Sequence, residues 1–188
     1  MTNIANFKTI LNVMLSKSSI LIPQDKIAER IESLAKELSS WIGENDSDTI
    51  IIWIAEGAML FASDLVKKLG KPNILIHSIR VSSYLNSTTP EQEPKICGDL
   101  PDVNGMRVLV VDDILDTGST LKKLYAELEK QSAKEVKICV LLNKNIPSPK
   151  IATADFVGFE VGNAFLFGYG LDFHNKYRSL PDIWKVNI

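Results

Sequence analysis

Val108-Leu109-Val110-Val111-Asp112-Asp113-Ile114-Leu115-Asp116-Thr117-Gly118-Ser119-Thr120 is the stretch that decides the fold class. Four apolar residues in succession read as a strand buried on both faces, which is the pattern of a parallel sheet. The strand is expected to end at Asp112-Asp113, and a third carboxylate, Asp116, follows shortly after. A glycine and two hydroxyls then lead into a run with Leu121, Leu124 and Leu128 on one helical face. Loop amides and hydroxyls at the positive end of a helix wrap a phosphate dianion well. The acidic pair suits sugar hydroxyls or a hydrated magnesium ion instead. A sugar phosphate satisfies all of these groups at once. The competing reading, a buried strand followed by an ordinary acidic turn, fits poorly with so long an ordered pattern.

Working outward, Ile27, Ile31, Leu34 and Leu38 recur at helical spacing after Pro23-Gln24-Asp25. Asn45 to Asp48 reads as a turn. Ile50 to Ile54 is a β-branched strand followed by Ala55-Glu56-Gly57. A helix then carries Ala62, Leu65, Val66 and Leu69 and stops at Gly70. Ile74 to Val81 is the next strand. Between Ser82 and Pro101 the composition turns polar, as in a lid or a long loop. Val136 to Leu142 and Phe156 to Glu160 supply further strands, and the tail is rich in aromatics. Alternating strands and helices predict an α/β fold with a mostly parallel sheet. Ligands of such sheets bind at the carboxyl ends of strands, where Asp112 to Thr120 falls.

A chain of 188 residues suits one domain with a full core, and its 45% hydrophobic and 23% charged residues are those of a soluble globular protein. A net charge of −2 leaves no electrostatic footprint for nucleic acid. Cys97 and Cys139 are too few and too far apart for a disulfide framework, so a cytoplasmic setting is expected. No apolar run reaches the ~20 residues of a membrane helix. Asn12 interrupts the apolar N-terminal stretch, which reads as a short amphipathic helix with Phe7, Ile10, Leu11 and Met14 facing a neighbour. That stripe, with Trp41, Trp53 and Trp184, is more large apolar surface than so small a domain readily buries, which predicts a homodimer or homotetramer.

The Asp112 to Thr120 segment resembles the phosphoribosyl-pyrophosphate (PRPP) signature of the phosphoribosyltransferases: two carboxylates, two apolar residues, then Asp-Thr-Gly-x-Thr. Within that group the chain is most similar to the hypoxanthine-guanine phosphoribosyltransferase family, from about Pro23 onward. Four further landmarks carry the resemblance. Ser83-Tyr84 opens the polar segment as the family's catalytic lid does, and Leu141-Leu142-Asn143-Lys144 resembles the strand end bearing the purine-reading lysine. Phe165 to Asp172 resembles the base-stacking run, and Tyr177-Arg178-x-Leu-Pro closes the match. The resemblance implies a type I phosphoribosyltransferase fold, with a small hood formed by C-terminal and N-terminal segments. It implies a single domain over 1–188, with a core at about 45–160 and a hood at about 161–188 plus the N-terminal segment.

The activity implied is transfer of the phosphoribosyl group from PRPP to N9 of hypoxanthine or guanine, with release of pyrophosphate. Asp116 would be the general base, although an aspartate here could instead cap the following helix. Thr117, Gly118, Ser119 and Thr120 would bind the 5′-phosphate, with Gly118 serving close backbone approach. Asp112 and Asp113 would hold the ribose hydroxyls, directly or through Mg²⁺, and Asp172 a second Mg²⁺. Glu56, Gly57, Ser83, Tyr84 and Arg178 would line the pyrophosphate. Phe165 would stack on the purine, with backbone near Leu166 and Asp172 reading its 2-position. Lys144, which has donors only, would favour a 6-oxo purine over adenine. Taken singly, Phe165 suits a core, Lys144 a solvated strand end and Arg178 a surface ion pair.

Departures from the family pattern fall at Glu56, where a lysine or arginine is usual, and at Gly162-Asn163-Ala164, in place of a Pro-Asp. Asp112 also stands where the purine-salvage enzymes usually show a glutamate. A carboxylate beside pyrophosphate predicts weak PRPP affinity that Glu56→Lys should improve, with the side chain turned toward a neighbouring subunit. It also supports a different reading, a regulatory or degenerate relative that binds PRPP or nucleotide with little turnover.

Overall fold

The computed structural model describes residues 17–44, 46–82 and 94–187. The expected N-terminal amphipathic helix and the lid residues Ser83 and Tyr84 lie outside the described residues. In chain order the elements are β1 (Ser18–Ile22), α1 (Gln24–Ile42), β2 (Thr49–Ala55), α2 (Met59–Leu69), β3 (Leu75–Ser82), β4 (Lys95–Cys97), β5 (Arg107–Leu115), α3 (Ser119–Lys130), β6 (Glu135–Lys144), β7 (Phe156–Val161), β8 (Leu166–Phe167) and β9 (Ile183–Val186).

Six strands form one sheet in the order β4-β3-β2-β5-β6-β7. Every pairing is parallel except β3 with β4. The period of two along each strand sorts its side chains onto two cores. Ile51, Leu109, Val111, Cys139 and Leu141 meet Ile27, Ile31, Leu34 and Leu38 of α1 and Phe61 and Leu65 of α2. Ile50, Ile52, Val108, Val110 and Val140 meet Leu121, Leu124 and Leu128 of α3. Both faces of β2, β5 and β6 are therefore covered, which is why their sequences read as unbroken apolar runs. Fully burying one such aliphatic side chain stabilises the fold by roughly 1.5–3 kcal/mol.

The hood is a second sheet, order β1-β9-β8, with both pairings antiparallel. It joins an N-terminal strand to the C-terminal tail, as the resemblance implied. Ile22, Leu166 and Ile183 anchor it in the core shared with α1 and α2.

Three details differ from the sequence expectations. First, β5 does not stop at the acidic pair but runs on to Leu115. The pairing with β6 continues at Asp112, Ile114 and Leu115, so the ladder holds the carboxylates on a strand and not in a loop. The core alternation breaks across Asp112-Asp113, because Ile114 joins the α1–α2 side and Leu115 the α3 side. Second, the polar segment contains a short strand, β4, paired with the end of β3. Third, the tryptophans are not the exposed apolar surface. Trp41 and Trp53 pack against the core and Trp184 stacks on Phe167, whereas Met59, Leu75 and Ile76 are about half exposed. Among the described residues no helix is long and apolar enough to cross a membrane.

Candidate active site

The chain leaves β2 toward β3 on one side, and β5 lies on the other side of β2. The crevice between the carboxyl ends of β2 and β5 is thus a topological switch point, the usual ligand site of such sheets. Two loops open there, Glu56-Gly57-Ala58 after β2 and Asp116-Thr117-Gly118 after β5.

In the second loop Gly118 stands at φ 88° and begins α3 with no side-chain cap. The capping role open to Asp116 is therefore not used. A Cβ on Gly118 would lie 2.9 Å from both the backbone N and the Cβ of Ala152. The close approach expected of this glycine is thus to the chain's own Ala152 backbone, and its positive φ is needed as well. Thr117 Oγ1 and Ser119 Oγ lie 3.0 Å apart, so two hydroxyls share the mouth of the helix. This is a suitable place for a phosphate.

Asp112 is only 8% exposed, and its Oδ1 accepts a hydrogen bond from the Asp113 amide at 3.0 Å. Burial, and after it the neighbouring Asp113 carboxylate, push the Asp112 carboxyl well above the usual carboxylate range. Burial also raises Asp113, against opposing pulls from the Asp112 side chain and the Ile114 amide and, least, from Arg178. A buried carboxyl and a half-buried neighbour, both resisting ionisation, form a pair that a divalent cation or sugar hydroxyls would satisfy.

Asp113 also reaches the first loop. A Cβ on Gly57 would fall 1.8 Å from Asp113 Oδ2, and a Cβ on Gly170 would fall 2.2 Å from the Gly57 carbonyl oxygen. Gly57 is therefore pressed between the acidic pair and the hood. Its neighbour Glu56 follows a cis peptide bond from Ala55. The Glu56 side chain faces two cations of its own chain: Oε1 pairs with Arg80 Nη2, and Oε2 lies 3.9 Å from Arg178 Nη2. Both of these partners lie within the chain. Arg178 in turn donates to the Gly170 carbonyl at 2.6 Å and pairs with Asp172 Oδ1 at 2.9 Å. Asp172 Oδ2 accepts from the Asn175 amide at 2.7 Å.

Lys144 ends β6 and stretches across to the second loop, where Nζ lies 3.2 Å from Asp116 Oδ2. It is not a solvated strand end, for its side chain is only 15% exposed. Phe165 lies just ahead of β8. It is 42% exposed and packs edge-on against Phe173, with centroids 5.4 Å apart. Leu166 points into the core at 6% exposure, so it can offer a ligand its backbone but little side chain.

Sequence reasoning missed Arg80 and Phe173. Arg80 sits opposite Ala55 in the β2–β3 register, beside the first loop. A lone guanidinium near the carboxyl end of β3 was its available signal. Phe173 follows Asp172 directly and supports the exposed ring of Phe165.

Residues 23–174 match the phosphoribosyl transferase domain family, so the fold and the crevice are those of a phosphoribosyltransferase. The hypoxanthine-guanine phosphoribosyltransferase of Aquifex aeolicus is 37% identical over 174 residues, covering 90% of this chain and 95% of that protein. The enzyme of the same name from Bacillus subtilis is 39% identical over 165 residues, covering 87% and 90%. A crystal structure of a hypoxanthine-guanine phosphoribosyltransferase from Bacillus anthracis superposes with a TM-score of 0.80 at 33% identity, covering 89% of this chain and 98% of that one. The chain belongs to the hypoxanthine-guanine phosphoribosyltransferase family.

Proposed function

We infer that the chain transfers the 5-phosphoribosyl group of PRPP to N9 of hypoxanthine or guanine, giving the nucleotide and pyrophosphate. The observation that carries this reading is the meeting of Asp116 and Lys144 at the mouth of the signature loop. One carboxylate and one ammonium, held side by side, match the two polar edges of a 6-oxo purine: a ring N–H to donate and an O6 to accept.

Breaking the glycosidic bond to pyrophosphate leaves cationic character on the ribose, as in glycoside hydrolysis. Asp116 takes the proton of the purine ring nitrogen as N9 bonds to C1′. Lys144 turns its donors to O6, and an adenine amino group would leave that lysine unpaired. Thr117 to Thr120 hold the 5′-phosphate, and Asp112 and Asp113 hold the ribose edge. Phe165 supplies a stacking face, with backbone near Leu166 and Asp172 at the 2-position. Arg178 and the Glu56-Gly57 loop bind pyrophosphate, and Ser83 and Tyr84 belong to the lid. Asp112 and Asp113 would hold one Mg²⁺ and Asp172 a second, and the ions would supply positive charge to offset that on the leaving pyrophosphate.

Residues 1–188 work as one cytoplasmic domain in this reading, assembled as a homodimer or homotetramer. A groove of about 290 Å³, lined by Trp53, Met59, Val66 and Ile76 among others, supports self-association. The binding-only alternative rested on Glu56, whose charge Arg80 and Arg178 offset within the chain. PRPP-dependent consumption of hypoxanthine, guanine, xanthine and adenine by the purified protein tests the reading. Turnover is expected with the first two, and no turnover with any 6-oxo purine would refute it.

A further inference from the structure

Two guanidiniums converge on the two oxygens of one carboxylate at the pyrophosphate loop. Arg80 comes from β3 and reaches Oε1 of Glu56, while Arg178 comes from the hood and faces Oε2 at 3.9 Å. Arginine forks suit pairs of oxygens on one centre, whether that centre is carboxyl carbon or phosphorus. A carboxylate between two such forks therefore occupies the position that a phosphoryl group would take. Glu56 is 54% and Arg80 63% exposed, and ion pairs this open to water are weak. A polyanion with more charge exchanges for such a carboxylate readily. Arg178 is anchored independently, through the Gly170 carbonyl and Asp172, so it stays in place when Glu56 leaves.

We propose that Arg80 is a second pyrophosphate-binding guanidinium, and that Glu56 is a built-in anion which holds Arg80 and Arg178 until the pyrophosphate of PRPP displaces it. The proposal rests on the placement of pyrophosphate beside Arg178 given above. It makes Glu56 a regulator of affinity with a resident partner, because the negative charge competes for the guanidiniums more than it repels the substrate at a distance.

The test is calorimetric titration of the full chain with inorganic pyrophosphate in Mg²⁺ buffer, alongside KM for PRPP and for hypoxanthine. Losing one hydrogen-bonded charge contact should weaken pyrophosphate on the order of tenfold or more in Arg80→Gln. Glu56→Gln should tighten it several-fold, and Arg80→Gln should cost more in the Glu56→Gln background, where nothing masks the guanidinium. KM for hypoxanthine should stay within about twofold throughout, since neither side chain faces the base. Arg80→Lys should recover part of the loss.

Pyrophosphate affinity unchanged in both single variants would reduce the pair to a surface ion pair and overturn the proposal. Weaker binding in Glu56→Gln would make Glu56 a support for Arg80 and overturn the competition. A fall in melting temperature together with equal losses for hypoxanthine and pyrophosphate in Arg80→Gln would mean a structural role, which also overturns it. Turnover by the parent chain checks the functional reading separately. Pyrophosphate held through Arg80 without any turnover would sink only that reading, and turnover indifferent to Arg80 would sink only this proposal.

Discussion

Lys144 Nζ and Asp116 Oδ2 stand 3.2 Å apart, with the lysine side chain largely buried and the aspartate half exposed. The two come from different elements, the end of β6 and the loop after β5, whose parallel pairing runs on to Leu115 and Asn143. That register brings the strand ends level and lets the lysine reach the aspartate. Asp116→Asn should leave the fold and PRPP binding in place and lower kcat by about two to four orders of magnitude, the range for a lost general base. Single-turnover kinetics with PRPP and hypoxanthine check this, and activity within a few-fold of the parent would remove Asp116 from the chemistry.

Lys144→Ala should raise KM for hypoxanthine more than KM for PRPP and should narrow the preference for hypoxanthine over adenine. In the proposed complex the lost donor serves the base and Asp116 and touches no part of PRPP, and an unpaired buried partner costs roughly 1–3 kcal/mol. Steady-state constants for both substrates decide the matter. Equal losses for PRPP and purine would assign the lysine to positioning Asp116 alone.

Gly57→Ala should damage PRPP use far more than its size suggests. The new methyl would sit 1.8 Å from Asp113 Oδ2, so either the loop or the acidic pair must move. A displacement of about 1 Å in a substrate-positioning group costs on the order of 100-fold in rate. The effect should appear in kcat/KM for PRPP, and a near-parent value would show that the loop and Asp113 move freely.

Asp112→Asn should trade activity for stability. Burial raises the Asp112 carboxyl in the folded chain above its unfolded value, so the fold prefers the protonated form. That preference favours folding fully below the unfolded value of about 4 and is lost as pH rises through the raised folded value. Asparagine keeps the oxygen that accepts from the Asp113 amide and does not titrate. The variant should therefore melt higher than the parent at pH 7.5 and close to it near pH 4, at about 2–4 °C for each kcal/mol gained. Its PRPP affinity should fall, and a stability gain independent of pH would rule out this cause.

Met59→Glu or Ile76→Glu should shift the assembly toward monomer, because each puts a charge on the exposed apolar strip beside α2. Light scattering at micromolar concentration measures it. A parent protein that is already monomeric would end the oligomer reading.

The order of the main elements, both covered faces of the sheet and the glycine loop that opens α3 were legible in the sequence. Apolar runs such as Val108 to Val111 and the leucines of α3 report burial directly, since burial is what their spacing encodes. Asp116, Lys144 and Arg178 were also found as candidates, because local motifs carry them. The sequence could not say which of these groups touch. The Glu56–Arg80 pair joins residues 24 apart in the chain, and Gly57 meets Asp113 and Gly170 across three separate segments. Such contacts depend on strand order and register, which fix distances only once β2, β3 and β5 lie side by side. Sequence by itself thus determined what each residue is chemically able to do. Tertiary structure alone decided that the Glu56 carboxylate stands between two arginines, because charge is paired by distance in space and not along the chain.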